Sequence, residues 1–145
     1  MKVLLQRVSE ARVQVGKDTV GAIDHGLLLL VGFEKHDDPG LLQRMTDKIL
    51  AYRVFADEDG KMNLNVRETG GGILAVSQFT LAADTQKGLR PGFSVAAPPA
   101  QAENLYNTFI QRLRSLHNPV ATGIFAADMQ VHLVNDGPVT FLLQL

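Results

Sequence analysis

The apolar positions of the chain follow two periods. Val3 to Val8 is an apolar-rich stretch, and Ala11 to Val15 alternates apolar with polar as a half-buried strand does. Gly16-Lys17-Asp18 reads as a turn and Val20 to Ile23 as the returning strand. After a second turn at Asp24-His25-Gly26, the run from Leu27 to Phe33 is continuously apolar, which predicts a strand buried on both faces. The opening third reads as a meander of antiparallel strands.

Asp38-Pro39 then signals a helix start, with a side-chain acceptor at the cap and proline at the first helical position. Leu41, Leu42, Met45, Ile49 and Tyr52 follow helical spacing. Arg53 to Ala56 returns to strand, Asp57 to Gly60 is an acidic turn, and Lys61 to Val66 fits neither period clearly. Gly70-Gly71-Gly72 precedes another apolar strand, Ile73 to Gln78. Residues 82–98 carry little periodicity, and a long irregular segment inside a small domain is often functional. A second helix begins near Pro99 and runs to about Leu116, with Leu105, Tyr106, Phe109, Ile110, Leu113 and Leu116 as its apolar stripe. Two closing strands are expected, Met129 to Val134 and Val139 to Leu143, joined by a turn at Asn135-Asp136-Gly137-Pro138. About seven strands and two main helices, with the strands in hairpin order, make the class α+β and the organisation a single domain over 1–145.

Composition narrows the chemistry. The chain has 145 residues, 46% hydrophobic and 20% charged, which is ordinary for a folded globular domain. It has no cysteine, so disulfides, thiolate nucleophiles, Cys-ligated zinc and iron–sulfur clusters are excluded. The opening Met1-to-Val8 stretch and the short run from Leu27 to Val31 lead to the expectation of no signal peptide, no membrane span and a cytoplasmic home. The formal net charge of −1 argues mildly against a protein that grips long duplex nucleic acid through its overall field.

The familiar motifs of catalysis are missing. The 4 histidines, His25, His36, His117 and His132, show no metal-ligand spacing. Gly70-Gly71-Gly72 lacks the Gly-Lys-Ser/Thr of a phosphate loop, and Gly92-Phe93-Ser94-Val95-Ala96 lacks the last glycine of a nucleophile elbow. No metal and no cofactor is expected. The acidic turn Asp57-Glu58-Asp59 reads as a solvated turn, since a general acid needs burial to raise its pKa. Two segments stand out. Ser77-Gln78-Phe79-Thr80 places polar side chains where a buried strand leaves the core, a rigid place for a site. Asn135-Asp136-Gly137-Pro138-Val139-Thr140 reads either as a plain turn or as a Gly-Pro turn whose carbonyl oxygens are held in a fixed geometry.

Together these segments resemble the D-aminoacyl-tRNA deacylase family. The resemblance runs nearly the whole length, through Leu4 to Val8, Asp59 to Val66, Val76 to Asp84, Phe125 to Val131 and Asn135 to Phe141; Lys87 to Phe93 is similar with small substitutions. It implies a strand-rich, barrel-like α+β fold, a homodimer with active sites at the subunit interface, and hydrolysis of the ester joining a D-amino acid to the 3′ end of tRNA. Removal of glycine from some tRNAs is also implied. Ser77, Gln78, Phe79 and Thr80 would surround the scissile ester, and Phe125 and Met129 would help bind the substrate. Gly137 and Pro138 would reach into the partner's pocket as a cis pair, with Arg7 supporting them.

An ester needs less activation than an amide, so water and backbone N–H donors at Phe79 and Thr80 would suffice. The Gly137 and Pro138 carbonyls would bind the α-ammonium and leave no room for an L side chain. Arg44 and Lys48 on the first helix, and Lys87 and Arg90 in the long loop, are candidate tRNA contacts. Two other readings stay open: a deacylase of L-aminoacyl-tRNA, and a non-catalytic RNA-end binding module.

Overall fold

The structure is a computed structural model and describes residues 1–86 and 88–145. Strand β1 (Lys2–Val15) bends along its length and is the hub of the sheet. Its second half pairs antiparallel with β2 (Asp18–Ile23) and its first half with β3 (Gly26–Gly32). Helix α1 (Pro39–Ala51) comes next, then a short pair, β4 (Phe55–Ala56) with β5 (Met62–Leu64). Strand β6 (Gly72–Ser77) runs into a 3-10 turn at Phe79–Ala82. Helix α2 (Pro99–Leu116), β7 (Val120–Thr122) and β8 (Gln130–Gln144) complete the chain.

The expected helices are where the pattern puts them. The Asp38 carboxylate accepts from the Leu41 N–H at 2.8 Å and Pro39 opens α1, a cap worth about 1 kcal/mol. The strands differ from expectation in three ways. The first two predicted strands are one bent strand, so β3 pairs with β1 and not with β2; the opening third is no simple meander. The two closing strands are likewise one strand, β8, which lies antiparallel along β1. The predicted turn at Asn135-Asp136-Gly137-Pro138 is a bulge within β8: the ladder passes from Gln6↔Thr140 to Val8↔Asn135, and the residues between swing out. Both Gly137–Pro138 and Asn118–Pro119 are cis. Finally, β6 pairs parallel with β3 and β7 parallel with β6. Parallel neighbours need long crossovers, and α1 and α2 supply them.

Both helices cover one face of the sheet. Leu27, Leu29, Val31, Ile73 and Ala75 point to that side and pack with Leu42, Met45, Ile49, Phe109 and Leu113. The alternate residues Leu28, Leu74 and Val76 point the other way, where the sheet curls over Val8, Val13 and Ile23. β3 is therefore dry on both faces, as its unbroken apolar run requires. The curl brings β2 against β7, so closely that a Cβ on Gly21 would overlap the Thr122 carbonyl oxygen. The sheet is thus nearly closed into a barrel. Among the described residues, no helix is long and apolar enough to cross a membrane.

This closure predicts that Gly21→Ala destabilises the fold by about 1–3 kcal/mol, the usual cost of overpacking. Urea unfolding would show it as a lower midpoint with an unchanged slope.

Candidate active site

In a sheet with parallel strands, ligands gather at the carboxyl ends of those strands. β6 ends at Ser77 and β7 at Thr122, and a cleft of about 650 Å³ opens there. Ser77, Gln78 and Phe79 form one wall, and Phe125, Ala126 and Met129 another. Phe93 and the start of α2, Pro98, Pro99 and Ala102, close the third side. The loop between β7 and β8 is shaped to present its residues. Ala126 holds a left-handed conformation with φ 59°, and a Cβ on Gly123 would lie 2.6 Å from the Met129 sulfur. Only glycine at 123 leaves room for Met129 to lie there.

The backbone beneath the cleft is tied down. The Gln78 N–H donates to the Val31 carbonyl at 2.8 Å, so the chain leaves the sheet at a fixed point. The buried Tyr106 hydroxyl donates to the Ala75 carbonyl at 2.9 Å, locking α2 to β6 two residues before Ser77. Burial pushes the Tyr106 phenol up to about 12, and its ring packs on Phe125 at 6.0 Å.

Phe79 and Thr80 open the 3-10 turn, and the first N–H groups of such a turn have no partner inside it. Among the described residues no side chain caps this one. The Gln78 amide donates to the Thr80 hydroxyl oxygen, which leaves the hydroxyl proton free for a second partner. Phe79 is 59% exposed, and its ring meets that of Phe93 at 5.1 Å. The exposed Phe79 and Phe93 rings therefore line one edge of the cleft, and the Thr80 hydroxyl follows one residue beyond the lining segment Ser77 to Phe79.

The acidic turn is structural. Asp57 is held below the usual carboxylate range by the Asn63 amide at 2.7 Å and by the backbone N–H groups of Lys61 and Asp59. His25 and His117 each bond a backbone carbonyl, of Thr69 and Gly71 respectively. Ser94 sits exposed between Phe93 and Val95 with no strand leading into it, unlike a nucleophile elbow. Among the described residues no His, Asp or Glu cluster could hold a metal ion.

The structure brings Ser77, Gln78, Phe79, Phe125 and Met129 together in the cleft, sets Thr80 beside them in the 3-10 turn, and leaves Arg7, Gly137 and Pro138 apart. Arg7 pairs with Leu27 of β3, and Val8 with Gly26, which in turn pairs with Gly72 at the amino end of β6. The bulge therefore stands level with the end of β6 opposite the cleft, on the order of 15 Å away along the strands. There the Arg7 Nε donates to the Asp136 carbonyl at 3.1 Å and its Nη1 to the Val54 carbonyl at 2.7 Å. Gly137 and Pro138 are exposed at its tip. Sequence reasoning missed the third wall, Phe93 and Pro98 to Ala102; the aperiodic stretch before Pro99 was its only trace.

A curled α+β sheet carries a mostly apolar cleft at a parallel strand end, with Ser77, Gln78 and the backbone of the turn after them as its polar groups, which defines a small-ligand site. The comparisons give its family. The family described as D-Tyr-tRNA(Tyr) deacylase matches residues 4–144. A D-aminoacyl-tRNA deacylase of Saccharophagus degradans is 65% identical over 145 residues, covering 100% of both chains. One of Alcanivorax borkumensis is 63% identical over the same full length. A solved structure described as "c-Myc DNA Unwinding Element Binding Protein" superposes with a TM-score of 0.96 at 44% identity, covering 100% of this chain and 99% of that one. Another, of "a probable eukaryotic D-amino acid tRNA deacylase", shares the fold with a TM-score of 0.84 at 16% identity, covering 98% of this chain and 97% of that one. The chain belongs to the D-aminoacyl-tRNA deacylase family and is an enzyme of the hydrolase class.

The Tyr106 lock has a pH signature. Unfolding releases a phenol that ionises near 10, whereas the folded one holds its proton to about 12. The stabilisation is complete below pH 10, falls as pH rises between those values, and amounts to on the order of 2–3 kcal/mol. Urea titrations at pH 9 and 12 should show a fall that is smaller in Tyr106→Phe than in the wild type.

Proposed function

We propose that the cleft hydrolyses the ester between a D-amino acid and the 3′-terminal adenosine of tRNA, releasing both, and that it refuses L-amino acids. The observation that carries this reading is the uncapped start of the 3-10 turn. The Phe79 and Thr80 N–H groups form the oxyanion hole as water adds to the ester carbonyl. As the carbon–oxygen bond breaks, the proton given up by the attacking water passes to the leaving 3′ oxygen, so the tRNA leaves with its hydroxyl restored and the amino acid as its carboxylic acid. Preorganised donors of this kind are worth roughly 10²–10³-fold in rate each. The Thr80 hydroxyl, its oxygen engaged by Gln78, donates to the water or the ester. It does not serve as nucleophile, since an alcohol needs an adjacent base. Ser77, Phe125 and Met129 shape the floor around the aminoacyl group.

Chirality is set by a second copy of the chain. Gly137 and Pro138 lie too far from their own cleft to line it, so the tip enters the cleft of a partner in a symmetric homodimer. Its carbonyl oxygens take the α-ammonium and crowd the face an L side chain would occupy. Glycine has nothing to exclude and is removed as well. Arg7 braces the tip from below. A cytoplasmic location accords with the substrate.

The tRNA itself is held by local charge, since the net charge is only −1. Arg90 is exposed in a loop whose base is pinned by paired Asp84–Gly92 backbone bonds of 2.7 and 2.9 Å, next to Phe93. Lys87, its expected companion, lies outside the described residues. Arg44 and Lys48 are exposed on α1, no residue of which lines the cleft. Arg90 is therefore the better acceptor-end contact.

Deacylation of D-tyrosyl-tRNA and L-tyrosyl-tRNA by catalytic amounts of protein tests the reading. Multiple turnover of the D ester alone is expected; equal cleavage of both, or of neither, contradicts it. Arg90→Glu should raise KM about tenfold at low salt and flatten the salt dependence of kcat/KM, because one phosphate contact is lost.

A further inference from the structure

The bulge in β8 interrupts its backbone bonding. The ladder stops at Gln6↔Thr140 and resumes at Val8↔Asn135, so Asp136, Gly137, Pro138 and Val139 stand opposite Arg7 alone. Backbone groups that lose their ladder partners must find others. Arg7 serves only the first limb, at the Asp136 carbonyl. The second limb is served by Asn135. Its Oδ1 accepts from the Val139 N–H at 2.9 Å, and its Nδ2 donates to the Thr140 hydroxyl at 2.9 Å. The same hydroxyl accepts from the Gln6 amide at 3.2 Å. Asn135 starts the bulge and bonds both residues that end it, so one side chain ties the two limbs together at their base. Val139 is buried against the core while Gly137 and Pro138 are exposed. The tip is thus carried on a neck whose width this clasp sets.

We propose that Asn135, with Thr140 as its partner, is a positioning residue for chiral discrimination: the clasp fixes where the Gly137 and Pro138 carbonyls stand. It acts through the tip and does not touch the substrate. The proposal rests on the proposed function, in which the tip sorts D from L. It adds a specificity determinant separate from Arg7, because Arg7 holds the neck to the body of the protein and Asn135 holds its two limbs to each other. A rejecting surface must be rigid, since an L side chain needs only a small displacement to be admitted. Loosening the clasp therefore admits L substrates more than it slows D substrates.

The test measures kcat/KM for D- and L-tyrosyl-tRNA with Asn135→Ala, Thr140→Val, the double variant, Thr140→Ser and Gly137→Ala. Thr140→Val keeps the shape and strand preference of threonine but removes the hydroxyl; Thr140→Ser keeps the hydroxyl. Thermal unfolding checks that each variant is folded. Thr140→Val should lower the D-over-L ratio about tenfold, the worth of its bond to Asn135, and Asn135→Ala should lower it further, since it also removes the acceptor for the Val139 N–H. The double variant should fall little below Asn135→Ala, since the pair shares one bond. Thr140→Ser should keep the wild-type ratio. Gly137→Ala is the control on the tip, because Gly137 has φ 133° and an added Cβ would lie 2.7 Å from the Val139 side chain and 3.0 Å from Arg7. If Gly137→Ala lowers the ratio and the clasp variants do not, the clasp has no such role and the reading of the tip stands. If folded Gly137→Ala and the clasp variants all keep the wild-type ratio, both fall.

Discussion

The burial of β3 and β6 on both faces is the constraint on which the rest depends. Leu27, Leu29, Ile73 and Ala75 are covered by the two helices, and Leu28, Leu74 and Val76 by the curl of the sheet itself. Strands dried on both sides cannot slide or change register, since a shift of one residue exchanges their two packed faces. The carboxyl end of β6 is therefore a fixed platform. The Gln78 bond to Val31 and the turn at Phe79, next along the chain, inherit that rigidity. The helices contribute in a second way. As crossovers they make β6 and β7 parallel to their neighbours, so two carboxyl ends and the start of α2 meet at one place.

The chemistry at that place suits a demanding choice more than a demanding reaction. An aminoacyl ester is already activated, and the cleft offers fixed donors in place of an acid–base pair. On the proposed reading, pocket recognition of one side chain would tie a deacylase to a single amino acid. Exclusion by backbone does not have that defect, because every amino acid presents the same atoms at its α-carbon. The proposed excluding surface is the bulge of β8, where Arg7, Asn135, Thr140 and Gln6 hold a short exposed tip.

Much of the fold was legible because its signals are local. Asp38-Pro39 and Pro99 start helices by their own chemistry, and the run from Leu27 to Phe33 reads as a strand dry on both sides. The errors have two causes, contacts between distant residues and elements too short to show a pattern. Asn135-Asp136-Gly137-Pro138 has the residues of a turn, and nothing nearby shows that Thr140 resumes the ladder on the same β1 strand that Asn135 left. β7 was missed because its 3 residues are too few to show a period. The parallel pairing depends on contacts between distant residues, which local pattern does not carry. At the site, Ser77 to Thr80 could be found from their place at a strand end. The walls at Phe93 and Pro98 to Ala102 are apolar or small residues with no chemical signature, brought there only by the crossover of α2.

The central claim is that each working site takes its cleft from one chain and its Gly137–Pro138 tip from another, since the two lie at opposite ends of β6 within one chain. Subunit complementation tests this most directly. Thr80→Ala damages the cleft and Gly137→Ala the tip, and each alone should be a poor D-specific deacylase. Unfolding the two variants together and refolding them produces mixed dimers in which one site has an intact cleft facing an intact tip. The account predicts that D-selective turnover, weak in either refolded variant, returns in the mixture. If the mixture performs no better than the average of its components, the tip does not act across a subunit interface and the account is wrong.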